Sequence, residues 1–180
     1  MSLLNYYDLA GKEIVEVGCG TTFPSYKFYC KSKPKSVVAF ELRELELEKI
    51  ENFVQYFVIG ECDEFILPPG LNKVDVLILS KFFNVSSKSK SRAILKKLLG
   101  LSPTKIIIEE YNVVSAHSGN FIGVDYLSEV LRNFGYYTSI HRNTRIFPEM
   151  YYEASSNLVH RIYNLFFCKR DVLVATKSNF

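Results

Sequence analysis

The chain has 180 residues, a hydrophobic content of 48% and a formal net charge of +3, values typical of an ordinary globular protein with one core. So small a charge gives little support for a polyanionic partner, and no apolar run reaches the roughly 20 residues of a membrane-spanning helix. The four cysteines are widely spaced, which argues against a clustered zinc site and favours buried thiols. We therefore expect a single domain over residues 1–180, no metal, no membrane partner and a cytoplasmic location.

Short apolar runs and helix-like segments alternate along most of the chain. Five continuous runs rich in Val, Ile and Leu predict strands, at residues 12–17, 36–41, 54–59, 74–79 and 105–108. Composition and helical spacing predict helices at residues 24–30, 45–53, 92–99 and 127–134. Because the strands do not alternate apolar with polar residues, helices should cover both faces of a mostly parallel sheet. Two further strands, at 136–140 and 171–176, would flank an insert at 142–170.

The most informative segment is Glu16–Gly20, which reads Glu-Val-Gly-Cys-Gly at the end of the first predicted strand. Glycines allow a backbone to turn sharply and to approach a ligand closely. A dinucleotide-binding loop needs a third glycine for tight helix–strand packing, and position 23 is Phe, which argues against NAD or FAD. No Gly-Lys-Ser/Thr follows, so a phosphate-binding loop is also disfavoured.

An acid ends the second predicted strand. Glu41 lies 21 residues beyond Gly20, and ligands of doubly wound sheets bind outside the carboxyl ends of the strands. A carboxylate there can accept hydrogen bonds from two ribose hydroxyls. Glu41 also fits a solvated acid, since Glu44, Glu46 and Glu48 follow it, but the glycine turn upstream favours ribose binding.

A third polar segment follows the third predicted strand, where Gly60 precedes Glu61 and Cys62. An acid beside a small residue can accept a hydrogen bond from an adenine amino group while a backbone N–H meets the ring. The same residues fit an ordinary acidic loop equally well.

Together these segments resemble the motifs of the class I S-adenosylmethionine-dependent methyltransferases: an acid before Gly-x-Gly, a second-strand acid, and Gly-Asp-Ala, here with Glu for Asp. Thr22 departs from the third glycine often seen in that family. The resemblance implies a Rossmann-like, three-layer αβα sandwich of about seven strands ending in an antiparallel hairpin, and S-adenosyl-L-methionine as cofactor. It implies a cofactor site formed by Glu16, Gly18, Cys19, Gly20, Thr21, Glu41, Glu61, Cys62 and Ser80.

After the fourth predicted strand, the family's adenine and glutamine methyltransferases carry Asn/Asp-Pro-Pro-aromatic, where this chain has Ser-Lys-Phe-Phe-Asn at 80–84. Adenine-type N-methylation is therefore not indicated, and Phe82 and Phe83 fit core or lid residues. Methyl transfer depends mainly on alignment, so a catalytic residue need not lie in any motif. Lys81, Tyr111 and His117 follow predicted strands at the cofactor edge and are candidates, although His117 also fits a surface loop histidine.

The methyl acceptor and the oligomeric state are not indicated by the sequence. Basic segments at 31–35 and 88–92 fit solvated turns, and the second also lies near the expected mouth of the site, where it could meet RNA phosphates. RNA, a protein or a small molecule all remain possible acceptors. The alternative hypothesis is a non-catalytic Rossmann-like module that binds a nucleotide or another protein.

Overall fold

Seven strands and three helices are present in the computed structural model, which describes residues 9–59, 66–83, 88–111, 123–142 and 170–177. The strands are β1 (Glu13–Val17), β2 (Ser36–Glu41), β3 (Val54–Val58), β4 (Val76–Ser80), β5 (Lys105–Tyr111), β6 (Tyr136–His141) and β7 (Arg170–Lys177). The helices are α1 (Tyr26–Ser32), α2 (Lys88–Leu99) and α3 (Val124–Asn133).

All seven strands form one sheet in the order β3-β2-β1-β4-β5-β7-β6. Strands β1 to β5 are parallel, whereas β7 runs antiparallel to both β5 and β6. Because β1 lies between β2 and β4, the strand order reverses there, and the carboxyl ends of β1 and β4 border the crevice where such sheets bind ligands. The predicted α/β fold, doubly wound with a terminal antiparallel pair, is confirmed.

Apolar side chains cover both faces of the sheet, as the continuous strand runs predict. On one face, α2 and α3 pack against β-strand residues through Leu95, Leu98, Leu127 and Leu131. On the other face, Tyr29 of α1 lies in a second cluster with residues of β1, β2, β4 and β5. The result is a three-layer arrangement with α1 on one side and α2 and α3 on the other.

One predicted helix is wrong. Residues 45–53 have no helix and connect β2 to β3 as an irregular segment. Leu45, Leu47, Ile50 and Phe53 are partly buried against the cluster that contains α1. Burying these residues against the sheet outweighs the helix propensity of the intervening Glu and Lys residues.

The fifth strand is longer than predicted, and this changes the site. The sequence prediction ended it at residue 108, but β5 continues to Tyr111 because β7 pairs with it over its whole length. The extension brings Glu109 and Glu110 into the sheet, and both are fully buried. Two acids therefore stand at the carboxyl end of β5, at the same edge as the glycine turn.

Candidate cofactor-binding site

The glycine turn begins where β1 passes between β2 and β4. Val17 is in register with Phe40 on one side and Leu79 on the other, and the next N–H, of Gly18, donates to the Phe40 carbonyl at 2.9 Å. Gly18 has φ +80°, and a Cβ there would lie 2.3 Å from the Ser80 carbonyl oxygen. Only glycine fits, since any side chain would collide with the backbone of β4. The sequence motif thus produces a narrow turn held between two strands.

The turn is joined directly to the acid at the end of β2. The Gly20 N–H donates to Glu41 Oε2 at 2.7 Å, and the Leu42 N–H donates to Glu41 Oε1 at 2.8 Å. Both carboxylate oxygens are thereby fixed in place, and each can accept a further hydrogen bond. Glu41 is partly exposed, so a ligand in the crevice can reach it. The structure therefore brings together two segments that the sequence separates by 21 residues.

The segment after β2 closes over the same turn. The Thr21 hydroxyl donates to Glu46 Oε1 at 2.5 Å, and the Glu46 N–H donates to the Thr21 carbonyl at 2.9 Å. Cys19 is buried, and burial together with the charges of Glu16 and Glu41 raises the pKa of its thiol well above the usual value. Its side chain therefore stays protonated and packs as a small apolar group rather than acting as a nucleophile.

Glu16 lies beneath the turn and is only 2% exposed. The hydroxyls of Ser25 and Tyr29 both donate to its Oε2, each at 2.6 Å. These hydrogen bonds connect β1 to α1 and to its N-cap residue, Ser25. Burial raises the pKa of Glu16 to about 7, although the two hydrogen bonds oppose that shift. This carboxyl thus positions α1 against the turn; its predicted contact with the cofactor stays a prediction.

Phe23 occupies a backbone conformation that glycine usually takes, with φ +42°. Its ring is buried, with centroids 5.7 Å from Tyr26, 6.0 Å from Tyr29 and 6.3 Å from Tyr56. Packing in this aromatic cluster offsets the strained φ. The ring fills the space into which a dinucleotide-binding loop would bring its third glycine.

Ser80 and Lys81 lie at the carboxyl end of β4, on the other side of the turn. Ser80 is buried, and Lys81 has φ +54° with its N–H donating to the Glu109 carbonyl at 2.7 Å. Burial lowers the pKa of Lys81, and the positive charge of Arg170 lowers it further, against the opposing charges of Glu109, Glu41 and Glu110. The Lys81 ammonium therefore lies within a set of charged groups at the edge predicted to carry the chemistry.

Three of these charged residues were missed by the sequence reasoning: Glu109, Glu110 and Arg170. Arg170 Nη1 lies 2.6 Å from Glu109 Oε1 in an ion pair buried on both sides. Glu110 Oε1 accepts the Phe83 N–H at 2.8 Å, whereas Oε2 has no hydrogen-bond partner within the described parts of the chain. Burial raises the pKa of Glu110 to about 8. The available signal was the pair of acids directly after an apolar strand.

The remaining predicted site residues cannot be placed against this geometry. Glu61, Cys62 and His117 lie outside the described residues, as does the side chain of Tyr111, whose backbone ends β5 opposite Arg170. Phe82 and Phe83 are buried and belong to the core.

In the described ranges, no group of three or more His, Cys, Asp or Glu side chains could hold a metal ion. None of the helices described is long and apolar enough to span a membrane.

Comparison with solved structures identifies the fold. One similar structure is a magnesium protoporphyrin IX methyltransferase from Synechocystis PCC 6803 with bound S-adenosylmethionine. The aligned region covers 95% of this chain and 72% of the methyltransferase, with a TM-score of 0.61 and 14% identity. Another is an S-adenosylmethionine-dependent methyltransferase from Mesorhizobium loti, for which the aligned region covers 94% of this chain and 92% of the methyltransferase, with a TM-score of 0.64 and 11% identity. A third is the [4+2]-cyclase SpnF, for which the aligned region covers 93% of this chain and 75% of the cyclase, with a TM-score of 0.63 and 14% identity.

No family model and no curated protein sequence matches the chain. At these identities the likeness concerns the fold alone. The chain has the Rossmann-like fold of the S-adenosylmethionine-dependent methyltransferases, which confirms the fold that the glycine turn and the acid at the end of β2 implied. The same fold also carries a cyclase, so the activity must be argued from the site.

Proposed function

We propose that this protein is an S-adenosylmethionine-dependent methyltransferase with its cofactor site at the carboxyl ends of β1, β2 and β4. The observation that carries the proposal is the 2.7 Å hydrogen bond from Gly20 N–H to Glu41, beside a turn in which Gly18 leaves no room for a Cβ. A glycine turn at the carboxyl end of β1 and a fixed, partly exposed carboxylate beside it fit a cofactor that carries a ribose and a small amino-acid end.

The residues around the turn would divide the binding between them. Glu41 would accept the ribose hydroxyls, and the backbone of Gly18–Gly20 would lie against the cofactor. Glu61 and Cys62 would meet the adenine, as the sequence resemblance implies. When bound, S-adenosylmethionine supplies a methyl group on a positively charged sulfur. Carboxylates near the site, including Glu41, favour a cation there.

The chain's own contribution to the reaction would be alignment and proton handling. The lowered pKa of Lys81 increases the neutral fraction of its amine. The neutral Nζ can take a proton from the group that receives the methyl. Phe82 and Phe83 are buried next to Lys81 and exclude water from that side. We propose Lys81 as the first of the three catalytic candidates to test, ahead of Tyr111 and His117. The acceptor itself is not assigned.

Titration calorimetry with S-adenosylhomocysteine tests the cofactor site. Glu41→Ala should weaken binding at least about tenfold, which corresponds to about 1.4 kcal/mol, because two hydroxyl hydrogen bonds to a charged group are lost. Glu48→Ala removes an exposed acid from the same connecting segment and serves as the matched control, with unchanged affinity expected. Circular dichroism of each variant shows whether it is folded. Folded wild-type protein that binds neither S-adenosylmethionine nor S-adenosylhomocysteine would refute the proposal.

Turnover separates an enzyme from a binding module. Labelled S-adenosylmethionine would be incubated with RNA, protein and small-molecule panels, for wild type and for Lys81→Met. Transfer by wild type that falls in the variant without loss of cofactor affinity supports a role for the Lys81 amine. Cofactor binding with no transfer to any acceptor would favour the non-catalytic alternative.

A further inference from the structure

A row of lysines lies at the edge of the sheet opposite the glycine turn. Five adjacent strands, β2, β1, β4, β5 and β7, each have one lysine at this edge, either within the strand or up to three residues before it: Lys35, Lys12, Lys73, Lys105 and Lys177. Lys35 and Lys12 are neighbours, since the Lys35 N–H donates to the Lys12 carbonyl at 2.9 Å. With adjacent strands about 4.8 Å apart, the lysine row extends over about 19 Å. Four of the five side chains are exposed and Lys105 is partly exposed.

The helices add to the same charge. Lys31 lies in the last turn of α1, Lys33 follows that helix, and Lys96 and Lys97 lie in the last turn of α2, all four exposed. Cations at helix carboxyl ends are favoured by the helix dipole, which accounts for these residues. The dipole does not account for the five lysines at the strand ends, which belong to no helix.

Few acids offset this charge. Among the described residues, Glu13, Asp75 and Glu51 are the acids at the ends of the strands on this side. Glu13 lies 2.7 Å from the Lys35 ammonium, and Asp75 Oδ2 accepts the Glu13 N–H at 2.9 Å. The five lysines of the row and the four at the helix ends therefore outnumber these three acids.

An exposed aromatic ring lies at the end of the lysine row. Strand β6 is the neighbour of β7, and Tyr136 of β6 is in register with Lys177. Tyr136 is buried, whereas the next residue, Tyr137, is 64% exposed and lies on the other face of the strand. Nucleic-acid bases stack well on such a ring.

We propose that this edge binds single-stranded nucleic acid, with backbone phosphates along the lysine row and a base stacked on Tyr137. Lysines at intervals along a line suit a charged chain, and an exposed ring suits an unpaired base, whose faces a duplex hides. A lipid surface fits less well, because the exposed ring lies at one end of the row rather than along it. The edge lies a full strand length from the glycine turn, so this proposal is independent of the proposed methyl transfer.

Fluorescence anisotropy with labelled oligouridine and oligothymidine of about 15 nucleotides tests the proposal and distinguishes RNA from DNA. Phosphate contacts by the three exposed lysines that form no ion pair within the described residues, Lys12, Lys73 and Lys177, predict that log K falls with log salt concentration with a slope of about −2. The triple variant Lys12→Glu, Lys73→Glu, Lys177→Glu should reduce that slope by about 2 and weaken binding more than tenfold. Its matched control is Lys27→Glu, Arg43→Glu, Arg92→Glu, which changes the charge equally away from the row and should keep the wild-type affinity.

The aromatic part of the surface is tested separately. Tyr137→Ala should weaken single-strand binding about tenfold and leave binding of a blunt duplex unchanged, while Tyr137→Phe should behave as wild type. The proposal is overturned if folded wild type binds neither oligonucleotide. It is also overturned if both triple variants lose affinity equally, which indicates net charge alone, or if only phosphatidylserine vesicles are bound. Loss confined to the row variant and to Tyr137→Ala supports it.

Discussion

Replacing Glu16 by glutamine removes a titratable group from beneath the glycine turn while keeping an oxygen that can accept hydrogen bonds. Glu16 faces the hydroxyls of Ser25 and Tyr29, and the charges of Glu109 and Glu41 act on it across the sheet. Burial is the largest cause of its raised pKa, and the two acids add to it. The substitution therefore isolates the free-energy cost of holding a negative charge at this position.

The size and sign of the effect follow from the pKa. An ordinary Glu has a pKa of 4.5, and Glu16 in the folded protein has a pKa of about 7. Between these values Glu16 binds more protons in the folded protein than in the unfolded chain, so its contribution to stability falls as pH rises and is constant above the folded pKa. The difference of about 2.5 pKa units corresponds to about 3 kcal/mol. Relative to Glu16→Gln, wild type should lose that amount between pH 4.5 and about pH 7.

Urea unfolding of both proteins at several pH values measures this difference. Glu110, with its pKa of about 8, also titrates in the range, but it is present in both proteins and its effect cancels. The free energy of unfolding of wild type minus that of Glu16→Gln should therefore decrease with rising pH and then become constant. A difference that does not change with pH would refute the reasoning, because Glu16 would then have an ordinary pKa and would not be desolvated in the folded protein.

Two further substitutions test the geometry around the site. Gly18→Ala should unfold the protein or cost more than about 3 kcal/mol, since its Cβ would meet the Ser80 carbonyl, whereas Gly70→Ala, with an open surrounding and a similar φ, should cost only about 1–2 kcal/mol by urea unfolding. Equal costs would mean that β4 moves away freely. Glu109→Ala should cost about 3–5 kcal/mol, because Arg170 is left buried without that carboxylate, and a cost under about 1 kcal/mol would show that water reaches the pair.

The sequence predicted the strands better than the connections. Continuous apolar runs such as 36–41 and 105–108 are typical of strands that are covered on both faces, and their alternation with helical segments favours the doubly wound fold from local pattern. The helix predicted at 45–53 was wrong because packing of its apolar residues against the α1 side of the sheet decides its backbone. The end of β5 was also misplaced, because its last residues are held by β7, which is distant in sequence.

For the site, the sequence by itself determined the residues that need no partner to be interpreted: glycines that must turn at Gly18 and Gly20, and an acid at the end of a strand at Glu41. Only the tertiary structure decided how these groups meet. It showed that Gly18 lacks a Cβ because β4 passes there, and that Gly20 donates to Glu41. The lysine row could not be read from the sequence either, because its members are up to 165 residues apart, from Lys12 to Lys177, and only strand order brings them to one edge.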